Sequence, residues 1–273
     1  MSALIQELNK TTGYIRQHCN MVPLIGIVLG SGLGNFIAEI KVEKEILYSD
    51  IPHFPESTVE GHEGKLIFGE ISGKKVVAMA GRFHFYEGYT PQQVTYPVRV
   101  MKMLGVEMVL ISNAAGGVNS SFEVGDLMII KDHISLFVQN PLSGKNENEL
   151  GPRFPDMSDP YSSLLIAKAK TIAEKLNIPV HTGVYTGVTG PTFETRSEYK
   201  LIKALGGDAV GMSTVQEVIA AVHSGLKVFA MSVITDIGIR EEDNTITHEE
   251  VLQAAKDAEP KLTAIFINLI QEL

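Results

Sequence analysis

Cysteine occurs once in the chain, at Cys19, so no intramolecular disulfide can form. A lone thiol fits a reducing cytoplasm. Basic charge is scarce: 23 Lys and Arg stand against 32 Asp and Glu, a formal net charge of −9. That balance argues against nucleic acid and against an anionic membrane surface, since both select basic faces. No stretch approaches the roughly 20 apolar residues of a membrane span. Residues Met1 to Lys10 interleave Gln6, Glu7, Asn9 and Lys10 with apolar side chains, unlike the apolar core of a secretory signal. Repeats, low-complexity tracts and interdomain linkers are also missing. The expectation is one soluble, cytoplasmic domain over residues 1–273.

What is present is a series of short apolar runs: 24–29, 76–80, 108–111, 127–130 and 228–234. They are continuous rather than alternating, as in strands buried on both faces. Segments 162–176, 214–224 and 248–270 space their apolar residues at helical intervals, and Pro260 predicts a kink or break in the last. This alternation predicts an α/β fold with a central mixed, largely parallel β-sheet flanked by helices. Two loop-like stretches, 140–159 and 237–247, are long enough to be functional or mobile.

Most of the runs end in a cluster of small or polar residues, and ligands of α/β sheets sit beyond the carboxyl ends of strands. The first cluster is Gly30-Ser31-Gly32-Leu33-Gly34. It suits an anion held by backbone N–H groups, or a plain strand–helix turn. It is no dinucleotide fingerprint, despite Asp50 downstream, because the third glycine would fall at Asn35; nor does it carry the lysine of a P-loop. The second, Gly81-Arg82-Phe83-His84-Phe85-Tyr86-Glu87-Gly88-Tyr89, gathers a cation, an imidazole, a carboxylate and aromatic faces. Arg82 offers a donor fork suited to phosphate. The bland alternative is an Arg82–Glu87 ion pair beside a core His84.

Asn113-Ala114-Ala115-Gly116-Gly117 leaves room for a ligand or for tight packing. In 190–195, Phe193 can stack on a planar ring and Glu194 can accept from ring N–H groups, if the segment is more than a turn. In 208–214, Met212 offers a soft surface to a sugar, and Ser213 either binds an anion at a helix start or merely caps the helix. His62, His84 and His248 lie near acids, but none has the spacing of a compact metal motif, so no metal is expected. No G-x-S-x-G elbow occurs.

Taken in order, these segments resemble the trimeric purine nucleoside phosphorylases of the inosine–guanosine type. The matching segments are 30–34, 81–89, 113–118, 153–158, 190–195 and 210–214, and the likeness extends from Leu24 to the C-terminal helix. The resemblance implies phosphorolysis of purine (deoxy)ribonucleosides to free base and (deoxy)ribose 1-phosphate, in purine salvage. Inorganic phosphate is then the co-substrate, with no other cofactor and no metal. It assigns phosphate to Ser31, His62, Arg82, His84, the backbone at Ala114, and Ser213. It assigns the sugar to Tyr86, Met212 and His248, with Phe154 reaching in from a neighbouring subunit of a homotrimer. The base falls to Phe193, Glu194, Val210, Gly211 and position 236, and the catalytic set to His84, Glu87, Glu194 and Asp236, with Glu87 positioning the Arg82/His84 cluster.

Position 236 departs from the pattern, which has Thr-Asn where this chain has Thr235-Asp236. An ionised Asp only accepts hydrogen bonds, so it suits a 6-amino purine; a protonated Asp can donate to a 6-oxo group. This raises a competing expectation, a methylthioadenosine- or adenosine-preferring phosphorylase of the same fold, although His248 suits an ordinary 5′-hydroxyl better. A nucleoside-binding protein without catalysis is a third reading, disfavoured by the intact phosphate set.

Overall fold

The apolar runs become strands of one sheet in the computed structural model, which describes residues 2–56, 64–238 and 246–273. The strands are β1 (Ile25–Val28), β2 (Lys41–Leu47), β3 (Lys65–Ile71), β4 (Lys74–Ala80), β5 (Met108–Gly117), β6 (Leu127–Ile134), β7 (His181–Gly187), β8 (Ala209–Gly211) and β9 (Lys227–Ile237). The helices are α1 (Ala3–His18), α2 (Pro91–Leu104), α3 (Ser163–Lys175), α4 (Arg196–Ala204), α5 (Val215–His223) and α6 (His248–Gln271). The sheet is mixed, with spatial order β2-β3-β4-β1-β5-β8-β7-β6-β9 and a further β5–β9 pairing. That pairing closes β5, β8, β7, β6 and β9 into a ring. β5 therefore serves both parts: its first four residues pair β1, its whole length pairs β9, and its last two residues also pair β8.

Burial on both faces explains the unbroken apolar strands. Ile25 and Ile27 of β1 face a core built with α3 and α6, while Val28 faces the core of α1, α2 and α5. α4 packs apart from these, with Tyr199 and Ile202 against Val118 and Val210.

Three expectations need correction. Asn113–Gly117 does not follow a strand but forms the second half of β5, because its small residues pair with β8 and β9. Thr235 and Asp236 likewise lie inside β9. Ala115 pairs with Ile234 and Gly116 with Asp236, so Thr235 is the extra residue of a β-bulge, a device that re-aims side chains beside a site. α6 runs unbroken through Pro260. Pro260 is on its exposed side, and the carbonyl it deprives of an N–H partner belongs to Lys256, also an exposed residue.

Candidate active site

The strand ends converge on a cavity of about 530 Å³. It is lined by Ser31, Arg82, His84 and Ser213, by Tyr86, Glu87, Met212 and His248, and by Phe193, Glu194 and Asp236. Ala114, Val210 and Gly211 also line it. The structure thus brings together the sequence candidates of the described residues, with one exception. Phe154 is 87% exposed in the irregular 140–159 segment and borders a separate groove with Arg153 and Met157. His62 lies outside the described residues, as does 239–245 of the second predicted loop.

Arg82 is almost fully buried, and its guanidinium is fixed from three sides. Nε donates to Glu217 Oε1 at 3.2 Å, and Nη1 donates to Ser112 O at 2.9 Å and to Ser213 Oγ at 3.1 Å. Nη2 stands 3.0 Å from Glu217 Oε2, close enough for ion pairing but off the line of a hydrogen bond. Arg82 and its partner Ser213 both line the cavity, so the fixed positive charge of the guanidinium favours an anion there. The bland Arg82–Glu87 pair is therefore not what forms. Glu217 holds Arg82, and Glu87 holds His84.

His84 is fixed by Glu87 Oε1, which accepts from its backbone N–H at 2.8 Å and lies 3.0 Å from Nδ1. A carboxylate on Nδ1 selects the tautomer with its proton there, so the acid–base chemistry of the ring passes to Nε2. Tyr86 stacks on the imidazole with ring centroids 4.7 Å apart. Burial first, and then the Glu87 charge, push its phenol up to about 12.

Ser213 is not the helix cap. Thr214 caps α5, at the unusual backbone angle φ +71°, and its N–H donates to Glu217 Oε2 at 3.0 Å. Asn113 Nδ2 braces the Thr214 hydroxyl at 2.9 Å. Left-handed backbone at a β-branched residue persists only where its surroundings enforce it. The Ser213 hydroxyl accepts from Arg82 and hydrogen-bonds the braced Thr214 hydroxyl at 3.1 Å, which fixes it in the cavity lining. The glycine loop is equally constrained. Gly32 has φ +74°, and a Cβ there would come within 2.7 Å of the Ala255 methyl of α6. Glu259, buried on the same helix, accepts from Phe36 N at 3.0 Å and Asn35 Nδ2 at 2.8 Å. α6 thereby ties the Ser31 turn to His248, its own first residue.

At the far end, α4 begins at the capping residue Thr195, which fixes the preceding Phe193-Glu194. Burial raises the Glu194 carboxyl; its bond from Tyr199 lowers it and the Asp236 charge raises it. Among the described residues no cluster of three or more His, Cys, Asp or Glu is placed to hold a metal ion. No described helix is long and apolar enough to cross a membrane.

Sequence reading missed Glu217 and Tyr199. Thr214-Val-Gln-Glu217 carries a legible capping-box pattern, but that pattern predicts only a helix start, not a carboxylate shared with Arg82.

Comparison with known proteins agrees with this geometry. Residues 24–271 match the model of the Phosphorylase superfamily. The chain belongs to that superfamily. Purine nucleoside phosphorylase 1 of Bacillus subtilis is 48% identical to it, over 98% of this chain and 97% of its own. Solved structures of Schistosoma mansoni purine nucleoside phosphorylase, one in complex with adenosine and one with inosine, superpose with TM-score 0.94 at 42% identity. They cover 100% of this chain and 99% and 98% of their own. Within the superfamily the chain sits with the purine nucleoside phosphorylases, which are pentosyltransferases.

Proposed function

We propose that this cavity carries out phosphorolysis of purine ribo- and deoxyribonucleosides, releasing the base and pentose 1-phosphate. The observation that carries the reading is a buried arginine, held by Glu217 and hydrogen-bonded to Ser213, lining the same cavity as two carboxylates, Glu194 and Asp236. Phosphate takes the part bounded by Ser31, Arg82, His84, Ser213 and the backbone at Ala114. The pentose lies across Tyr86, Met212 and His248, and the purine lies against Phe193, Val210 and Gly211.

Cleavage of the glycosidic bond builds positive charge on the sugar and negative charge on the departing purine. Phosphate bound beneath the sugar stabilises that cation and then attacks C1′, inverting the anomeric centre. Donors already fixed around the phosphate need no reorganisation as charge develops. Glu87 keeps His84 oriented toward the phosphate. Glu194 accepts from the purine N1–H, and the Asp236 side holds N7 and the 6-substituent as the base departs. No metal or organic cofactor takes part; inorganic phosphate is the co-substrate. The working assembly is a homotrimer in the cytoplasm, with Phe154 of each chain completing a neighbour's sugar site. Its exposure beside Arg153, whose guanidinium lies 5.6 Å from the ring centroid, fits that role.

Asp236 favours a second substrate class beside the 6-oxo purines. As a carboxylate it accepts from a 6-amino group, whereas an asparagine amide donates to a 6-oxo group without needing a proton. Asp236→Asn therefore raises the inosine-to-adenosine ratio of kcat/KM by about 10–100-fold, the range of a hydrogen bond to a charged group. Assay of released base from each nucleoside checks this, and an unchanged ratio removes Asp236 from recognition of the 6-position.

A further inference from the structure

The base end of the cavity contains a third polar group. Tyr199 projects from α4 into the lining between the two carboxylates. Its hydroxyl donates to Asp236 Oδ2 at 3.5 Å, and Glu194 is near enough for the two groups to act on each other's ionisation. The Thr235 hydroxyl donates to the other Asp236 oxygen at 3.2 Å. The backbone makes room for this phenol at two places. A Cβ on Gly238 would fall inside the Tyr199 ring, and one on Gly116 would stand 3.3 Å from the hydroxyl and 3.0 Å from Asp236 Oδ2. Tyr199 is itself almost wholly buried, so its position is dictated by packing rather than by solvent.

We propose that Tyr199 is a positioning residue that lets Glu194 and Asp236 share one proton, so that a single pocket reads both 6-oxo and 6-amino purines. The inference rests on the assignment of this end of the cavity to the base. A 6-oxo purine presents N1–H as donor and O6 as acceptor; it needs Glu194 ionised and Asp236 protonated. A 6-amino purine presents N1 as acceptor and the amine as donor; it needs the proton on Glu194 and Asp236 ionised. Both complexes hold the same one proton, placed differently. The hydroxyl lies between the carboxylates, donating to the ionised one and accepting from the protonated one. When it passes its proton to one carboxylate and receives the other's, the state is exchanged with no change in charge.

Among the described residues, the charged groups acting on this trio are Asp236 from β9 and Glu198 from α4, which both disfavour ionisation of Glu194, and Asp236 and Glu194 acting on Tyr199. Burial, reinforced by the two carboxylates, raises the phenol, so it remains protonated and available as donor.

The test is the pH dependence of kcat/KM for inosine and for adenosine in the wild type and in Tyr199→Phe, with the melting temperature and the KM for phosphate as controls. The wild type cleaves both nucleosides, and their profiles share both limbs because both require one proton on the pair. Removing the hydroxyl takes a donor from the ionised carboxylates, which raises their pKa values. Both limbs then move to higher pH together, and kcat/KM for both substrates falls by about tenfold, with the KM for phosphate unchanged. Gly116→Ala, which wedges a methyl between hydroxyl and Asp236, reproduces the shift from a different strand. If neither profile moves in either variant, or only one substrate is affected, the shared-proton role is wrong. Wild-type protein that releases base from neither nucleoside would overturn the assignment of the pocket, and this inference with it.

Discussion

Arg82→Lys lowers kcat/KM for phosphate by about 10²–10³-fold, the loss typical of removing a fixed donor from developing charge. The guanidinium satisfies Glu217, Ser112 O and Ser213 simultaneously and lines the cavity as a fixed cation. A lysine ammonium has three donors on a flexible stem and no planar fork, so it cannot serve those partners and phosphate together. The loss is concentrated on phosphate: hypoxanthine, which the proposed assignment places against Phe193 and Glu194 instead, binds as before. Phosphate saturation curves combined with a calorimetric titration of hypoxanthine check this. Equal losses at both ends would mean that Arg82 only holds the fold.

Glu217→Ala destabilises the folded protein by about 3–5 kcal/mol, because it leaves a buried guanidinium without its counter-charge. The same carboxylate also accepts the Thr214 N–H, so the strained start of α5 and the Ser213 hydroxyl loosen with it. Glu217→Gln retains an acceptor for Thr214 but not the charge, and it falls between wild type and alanine. Urea unfolding of the three proteins, scored by the midpoint at constant slope, gives the order directly. An alanine variant as stable as wild type would show that Arg82 is not held by this pair.

The residues legible in the sequence were those at strand ends. Arg82, His84, Glu87, Phe193, Glu194 and Met212 sit in short clusters that follow or interrupt apolar runs, and the fold brings such clusters together. The apolar strands β1, β4 and β9 were legible for the same reason, since burial on both faces leaves an unbroken signature. β2 left none. Its sequence Lys-Val-Glu-Lys-Glu-Ile-Leu is exposed at every position but one, as suits a charged edge strand. β7, His-Thr-Gly-Val-Tyr-Thr-Gly, has too few apolar residues to register, and α2 carries prolines at 91 and 97.

The braces behind the site were hidden for a different reason. Glu217, Tyr199 and Glu259 lie on helices, 135, 37 and 223 residues from the partners Arg82, Asp236 and Phe36. Spacing along the chain cannot show such pairings. Each side chain reads as an ordinary helix position until packing turns it inward. The bulge at Thr235 was equally invisible, because it is defined by the register against β5 and not by the residues of β9 alone.

The most direct measurement is release of hypoxanthine from inosine by the purified protein, with and without inorganic phosphate, with ribose 1-phosphate quantified alongside. Phosphorolysis predicts base release only when phosphate is present and one ribose 1-phosphate for each hypoxanthine. Base released equally without phosphate, or accompanied by free ribose, would contradict it.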